Sequence, residues 1–293
     1  MEVWTPIVLE ELFAKTVFAN FLTDLSPWAG EGDIFHVPDV FTNAFTAQTQ
    51  TTQGTEITTD APAQNDITLT VGTHKYIAYA LGDKDMVQLS KMYNFNEIYA
   101  SKAGSVLADD LEDTLAALWS GLSTNSVGDT ATALTDLEVR QSIEKLATAN
   151  FDLRECAFFV HPYVLWTQIL AIQKYYDVSQ RGMLGGNDNS LTIKGNFGPM
   201  DASRGLSGML YGIPVFQSSN VVSGLLTYRN LLLHKSAFGF ALQTPGGSKV
   251  RVQSKYLLEN LSALTVLDIL YGTVELRDGA GVVVNANTTS TTA

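Results

Sequence analysis

Four histidines, a single cysteine and one knot of acids are the side chains of this 293-residue chain whose types lend themselves most directly to chemistry. His36, His74, His161 and His234 stand far apart, each inside a strand-like run. None belongs to a His-Glu-x-x-His or Cys-x-x-Cys pattern, so the ligand spacing of a zinc site is missing and no metal is expected. Cys156 lies in the apolar run CAFFV, where a thiol packs as a small apolar group and has no partner for an intrachain disulfide. The acids Asp109, Asp110, Glu112 and Asp113 are the types needed for acid–base work or a divalent cation. They share a helical pattern with Leu107, Leu111 and Leu115 that turns their charges away from the leucines, as on an ordinary solvated helix face. GLSG at Gly205–Gly208 lacks the strand–turn–helix setting of a hydrolase serine, and GMLGG at Gly182–Gly186 lacks the frame of a phosphate cradle. No catalytic constellation and no cofactor is expected. An enzyme would have to assemble its site from scattered residues such as Asp109, His161 and Arg181.

The balance of charge narrows the partners. A formal net charge of −12 opposes binding to phosphates, because that affinity comes from lysine and arginine displacing condensed counterions. A dedicated DNA reader is therefore not expected. MEVWTPIVLEELFAK carries acids where a signal peptide needs bases, and no run reaches the roughly 18 apolar residues of a membrane span. A soluble protein, intracellular where it is made, is expected.

Periodicity supplies the elements. Leu9, Phe13, Val17 and Phe21 recur every four residues and predict an amphipathic helix after Pro6. Ile34, His36 and Pro38 alternate with Phe35, Val37 and Asp39 as in a strand. From Asn96, the leucines named above, together with Ala103, Val106 and Leu118 or Trp119, mark the strongest helix in the chain, long enough to be a structural spine. A helix over Thr135–Asn150, a buried strand CAFFVH and a helix opened by Pro162 suggest a mixed α/β module. Arg181–Met200 is glycine-rich and reads as a surface loop. LYGIPVFQSSNV reads as a strand bent by Gly212 and Pro214, and TYRNLLLHKSAFGFALQ as one or two more. The last third alternates repeatedly and turns at RDGAG, a hairpin signal.

Between Thr42 and Val71 the chain is rich in threonine and glutamine and has neither lysine nor arginine. Threonine suits strands rather than flexible linkers, and Ile67, Leu69 and Val71 alternate with polar residues, so a two-stranded ribbon is expected. So little apolar surface makes an isolated hairpin marginal, and the ribbon must lie against something else. Large apolar faces, a ribbon needing support and a long helix describe a self-assembling structural subunit.

In this order the elements resemble the major capsid proteins of tailed bacteriophages, with the Hong Kong 97-type (Johnson) fold. WAGEGDIFHVPDV resembles the family's entry into its extended loop, and DKDMVQLSK followed by LADDLEDTLAALW its approach to the spine helix. MLYGIPVFQSSNV is similar to its Gly-x-Pro-Val strand, and DILYGTVELRDGAGVVVN to its closing strands. The resemblance implies an α+β fold: N-terminal arm 1–33, extended β-ribbon loop 34–82, peripheral domain 83–125 with the spine helix, axial α/β domain 126–248, peripheral closing strands 249–285 and flexible tail 286–293.

It also implies hexamers and pentamers of this subunit closing into an icosahedral shell around double-stranded DNA, touched but not read. A virion capsid assembled in the host cytoplasm, a portal protein, a decoration protein and no membrane belong to the same picture. Phe13, Phe21, Phe45, Ile57 and Ile67 are the expected apolar anchors between subunits. The chain departs from relatives that weld their shells through a ribbon lysine, since none occurs between Lys15 and Lys75. It enters its arm almost at Met1, which implies a separate scaffolding protein. The rival readings are an encapsulin-type shell, an enzyme with a scattered site, and an intracellular binding module with a protruding ribbon.

Overall fold

The computed structural model describes Val8, Leu12, Thr49 and residues 16–30, 32–39, 53–54, 56–57, 65–89, 95–122, 125–172, 206–224, 227–243 and 249–288. Its axis is the 23-residue helix Phe95–Ala117, about 34 Å long at 1.5 Å per residue. Ala100, Ala103, Leu107, Leu111 and Leu115 are buried on one side of it, as their spacing requires. Val106, expected on that stripe, is instead 45% exposed. The helix closes in a 3-10 turn, Leu118–Gly121, where the guanidinium of Arg229 covers the Trp119 ring at 3.8 Å.

A five-stranded sheet packs on the long helix. Its backbone is the 14-residue β12 (Ser262–Glu275), flanked by β4 (Thr73–Gly82), β11 (Arg251–Leu257) and β10 (Phe238–Gln243), with β1 (Thr23–Asp24) parallel to β10. Pleating sends Ile77 and Tyr79 of β4 into the core while Tyr76, Ala78 and Ala80 face outward.

The six-stranded sheet runs β5 (Ser126–Val127), β13 (Gly281–Asn287), β9 (Thr227–His234), β6 (Cys156–Val160), β8 (Ile213–Gln217), β7 (Leu206–Leu210). CAFFV is buried throughout, as an unbroken apolar run predicts. The helix Asp136–Thr148 covers it, its N-terminus closed by the Glu138 carboxylate accepting the Thr135 backbone N–H at 2.7 Å. The segment opened by Pro162 is helical, passing into one π turn at Leu165–Ile169.

Two expectations about the turns are corrected. The bent strand at 210–217 is a hairpin of two strands: Leu210 pairs with Ile213, and Tyr211 and Gly212 take φ of 52° and 81°, the paired positive values of a two-residue turn. RDGAG closes no hairpin. Asp278–Ala280 form a 3-10 turn that carries the chain from β12 in one sheet to β13 in the other. A second crossover at 235–237 links β9 to β10 in the opposite sense, so β10 joins the sheet of β12 and β13 the sheet of β9. The crossovers touch: the Leu276 and Arg277 amides donate to the Ala237 carbonyl at 2.8 and 3.2 Å.

Candidate inter-subunit surface

The N-terminal segment reaches the core by a different face from the one periodicity suggested. Val8, Leu12, Thr16, Phe18 and Ala19 are buried, whereas Val17 and Phe21 are half-buried. In the short helix Phe18–Phe21, Phe18 stacks on Phe159 of β6 at 4.4 Å and Phe21 meets the same ring edge-on at 5.6 Å. Phe21 thus packs within its own chain. Leu9, Phe13 and Phe45 lie outside the described residues.

Glu112 corrects the reading of the acidic cluster. Its side chain is buried, not solvated: Oε2 accepts the Phe18 amide at 2.9 Å and Oε1 the Ala19 amide at 3.1 Å. Burial pushes its carboxyl up to about 7; the backbone donors of the segment oppose the shift and the charge of Asp109 adds to it. Its neighbours are spoken for elsewhere. Asp110 accepts from Lys75 at 3.0 Å and from the Tyr271 hydroxyl at 2.8 Å, and Asp113 from Asn220 at 2.8 Å.

The ribbon begins where expected. β2 (Ile34–Asp39) pairs antiparallel with β3 (Asn65–Thr70), Ile34 opposite Thr70 and Asp39 opposite Asn65. Phe35, Val37, Leu69 and Val71 sit on one face and pack against Leu25, Ala29, Ala241, Leu270, Val274 and Leu276. The base of the ribbon is therefore supported by its own chain. The crossing is close at Gly272, where a Cβ would stand 2.3 Å from the Thr70 carbonyl oxygen. Ile67 is half-buried beside this contact, and Ile57, further out, is 72% exposed.

The histidines are all engaged structurally. His36 pairs with Asp66 across the ribbon. His74 Nε2 lies 2.9 Å from Asp268, which also takes two bonds from Arg251 at 2.9 and 2.7 Å. Burial works against charge on Asp268, but the Arg251 and His74 bonds outweigh it and hold the carboxyl below its ordinary value. His161 caps the helix that follows and stacks on Tyr228 at 4.1 Å, and burial lowers its basicity. His234 bonds Ser236 at 2.8 Å and is likewise lowered, first by burial. Burial and the acids Asp152 and Glu155 push the Cys156 thiol up to about 11, which keeps it protonated and unreactive.

Asp109 and His161 sit on different elements, and Arg181 lies outside the described residues. Among the described residues, no group of three or more His, Cys, Asp or Glu is placed to hold a metal, and no helix is long and apolar enough to cross a membrane.

What the surface does offer is uncovered apolar groups. At the β11–β12 turn Leu258 and Leu261 are 80% and 62% exposed, and Tyr76 on the outer face of β4 is 68% exposed.

No protein-family model and no curated protein sequence matches the chain. Solved structures match its fold along almost its whole length. A structure of Mycobacterium phage Che8 aligns at a TM-score of 0.68 with 20% identity, covering 92% of this chain and 91% of that one. The capsid structure of cyanophage P-SCSP1u aligns at 0.67 with 13% identity, covering 92% and 87%. The holo-SrpI encapsulin complex from Synechococcus elongatus aligns at 0.56 with 16% identity, covering 94% and 87%. The architecture is that of capsid-shell subunits. The chain has the Hong Kong 97-type fold of phage capsids.

Proposed function

We propose that this chain is the major capsid protein of a tailed bacteriophage, a structural subunit rather than a catalyst. The observation that carries this reading is the alignment of the fold with phage capsid structures over 92% of the chain. Hexamers and pentamers close into an icosahedral shell around double-stranded DNA, which the net charge of −12 keeps mobile. The five-stranded sheet and long helix form the peripheral domain and the six-stranded sheet the axial one, with arm and ribbon reaching to neighbours. Phe45, Ile57 and Ile67 are the ribbon anchors and Phe13 that of the arm, while Phe21, expected beside Phe13, is engaged by Phe159 of its own chain. A scaffolding protein, a portal and a decoration protein complete the virion, which is assembled in the host cytoplasm.

The alignment with an encapsulin complex supports a second reading, a shell around a protein cargo. Electron microscopy of the purified protein, alone and with the neighbouring gene products, tests both. Closed polyhedra containing nuclease-protected DNA are expected. Protein-filled shells would transfer the chain to the encapsulin reading, and a monomer under every condition would overturn both.

A further inference from the structure

Glu112 is 2% exposed, and the groups that hold its carboxyl are backbone amides of another segment, Phe18 at 2.9 Å and Ala19 at 3.1 Å. No cation faces it among the described residues. The short helix Phe18–Phe21 brings no ionisable side chain, and β6 presents the Phe159 ring beneath it. On its own helix the charge that reaches Glu112 is Asp109, which is also negative; Asp110 is turned to Lys75 and Tyr271, and Asp113 to Asn220. A buried carboxylate with amide donors but no counter-charge is still costly, and proton uptake relieves the cost.

We propose that Glu112 is a proton-controlled latch that seats residues 16–22 on the long helix when protonated and loosens them when ionised. The segment is also held by the burial of Phe18, Ala19 and Leu22, by the Phe18 and Phe21 rings on Phe159, and by the pairing of β1 with β10, and its own residues belong to neither sheet, so it can loosen without unfolding either. The sign follows from linkage. In the seated state the carboxyl is pushed up from 4.5 to about 7 by burial. Its stabilisation of the seated segment is complete below the ordinary carboxyl value and is lost as pH rises through about 7.

Amide hydrogen exchange of the unassembled subunit tests this whether or not the chain forms shells. With rates corrected for intrinsic exchange, protection of the Phe18 and Ala19 amides should fall by up to roughly tenfold per pH unit between about pH 5 and about pH 7, while that of β6 amides stays level. Glu112→Gln, which has no proton to lose, should show weaker protection without the slope. A level wild-type profile would overturn the proposal even if the variant failed to fold, and so would a slope retained in Glu112→Gln.

Discussion

The Lys75 ammonium lies 3.0 Å from the Asp110 carboxylate, fastening β4 to the long helix immediately beyond the ribbon. Both side chains are partly solvated, at 48% and 35% exposure. Lys75→Ala is therefore expected to cost less than about 1 kcal/mol in denaturant unfolding. Because Lys75 is engaged at home and no lysine precedes it back to Lys15, mature shells should run as monomer on a denaturing gel. A ladder of covalent multimers would contradict this.

Gly272 sets the seat of the ribbon. Its missing Cβ would stand 2.3 Å from the Thr70 carbonyl, a backbone atom that cannot step aside. Gly272→Ala should cost about 2–3 kcal/mol in thermal or denaturant unfolding. Gly30→Ala, which meets nothing within 4 Å, should stay within about 0.5 kcal/mol of wild type.

Asp268 links acid sensitivity to β11. Its carboxyl is held below its ordinary value of 3.8 chiefly by Arg251, so its contribution is present above 3.8 and is lost as pH falls through the lowered value. Arg251→Met removes that support and should move the acid-unfolding midpoint, followed by circular dichroism, to higher pH. An unmoved midpoint would show that the bond carries no stability.

Deletion of residues 46–64 leaves the ribbon base against Leu25, Leu270 and Leu276 untouched. The shortened chain is expected to keep wild-type unfolding behaviour and to fail to form stable shells by electron microscopy. Normal shells would show that the ribbon is dispensable for assembly.

Much of the fold was legible because it is written locally. The long helix, the two ribbon strands, the buried CAFFV strand and the helix after Thr135 follow from period and flanking residues alone. Misread positions depend on partners remote in sequence. Glu112 has the charge of a solvated residue, and only the arrival of Phe18 and Ala19, more than ninety positions earlier, buries it. RDGAG has turn chemistry that suits a hairpin equally well, and nothing nearby says that β13 will pair with β9. The support of the ribbon base by its own chain was likewise out of reach, because Leu69 meets Leu270 and Val274 only once β12 is in place. Tyr211–Gly212 did carry a signal: a glycine ready for positive φ between two short apolar runs is how a two-residue hairpin looks.

The paired crossovers at 235–237 and 276–280 bear on how such a subunit could bend. Each is only a few residues long, they run in opposite senses between the two sheets, and the Ala237 carbonyl ties them together. Two short straps side by side resist twisting far better than one, as a double-knuckle joint does. The angle between the sheets is thus restrained inside each molecule. An assembly of many such copies would find its curvature more readily at the seams between them than in the joint between the two sheets.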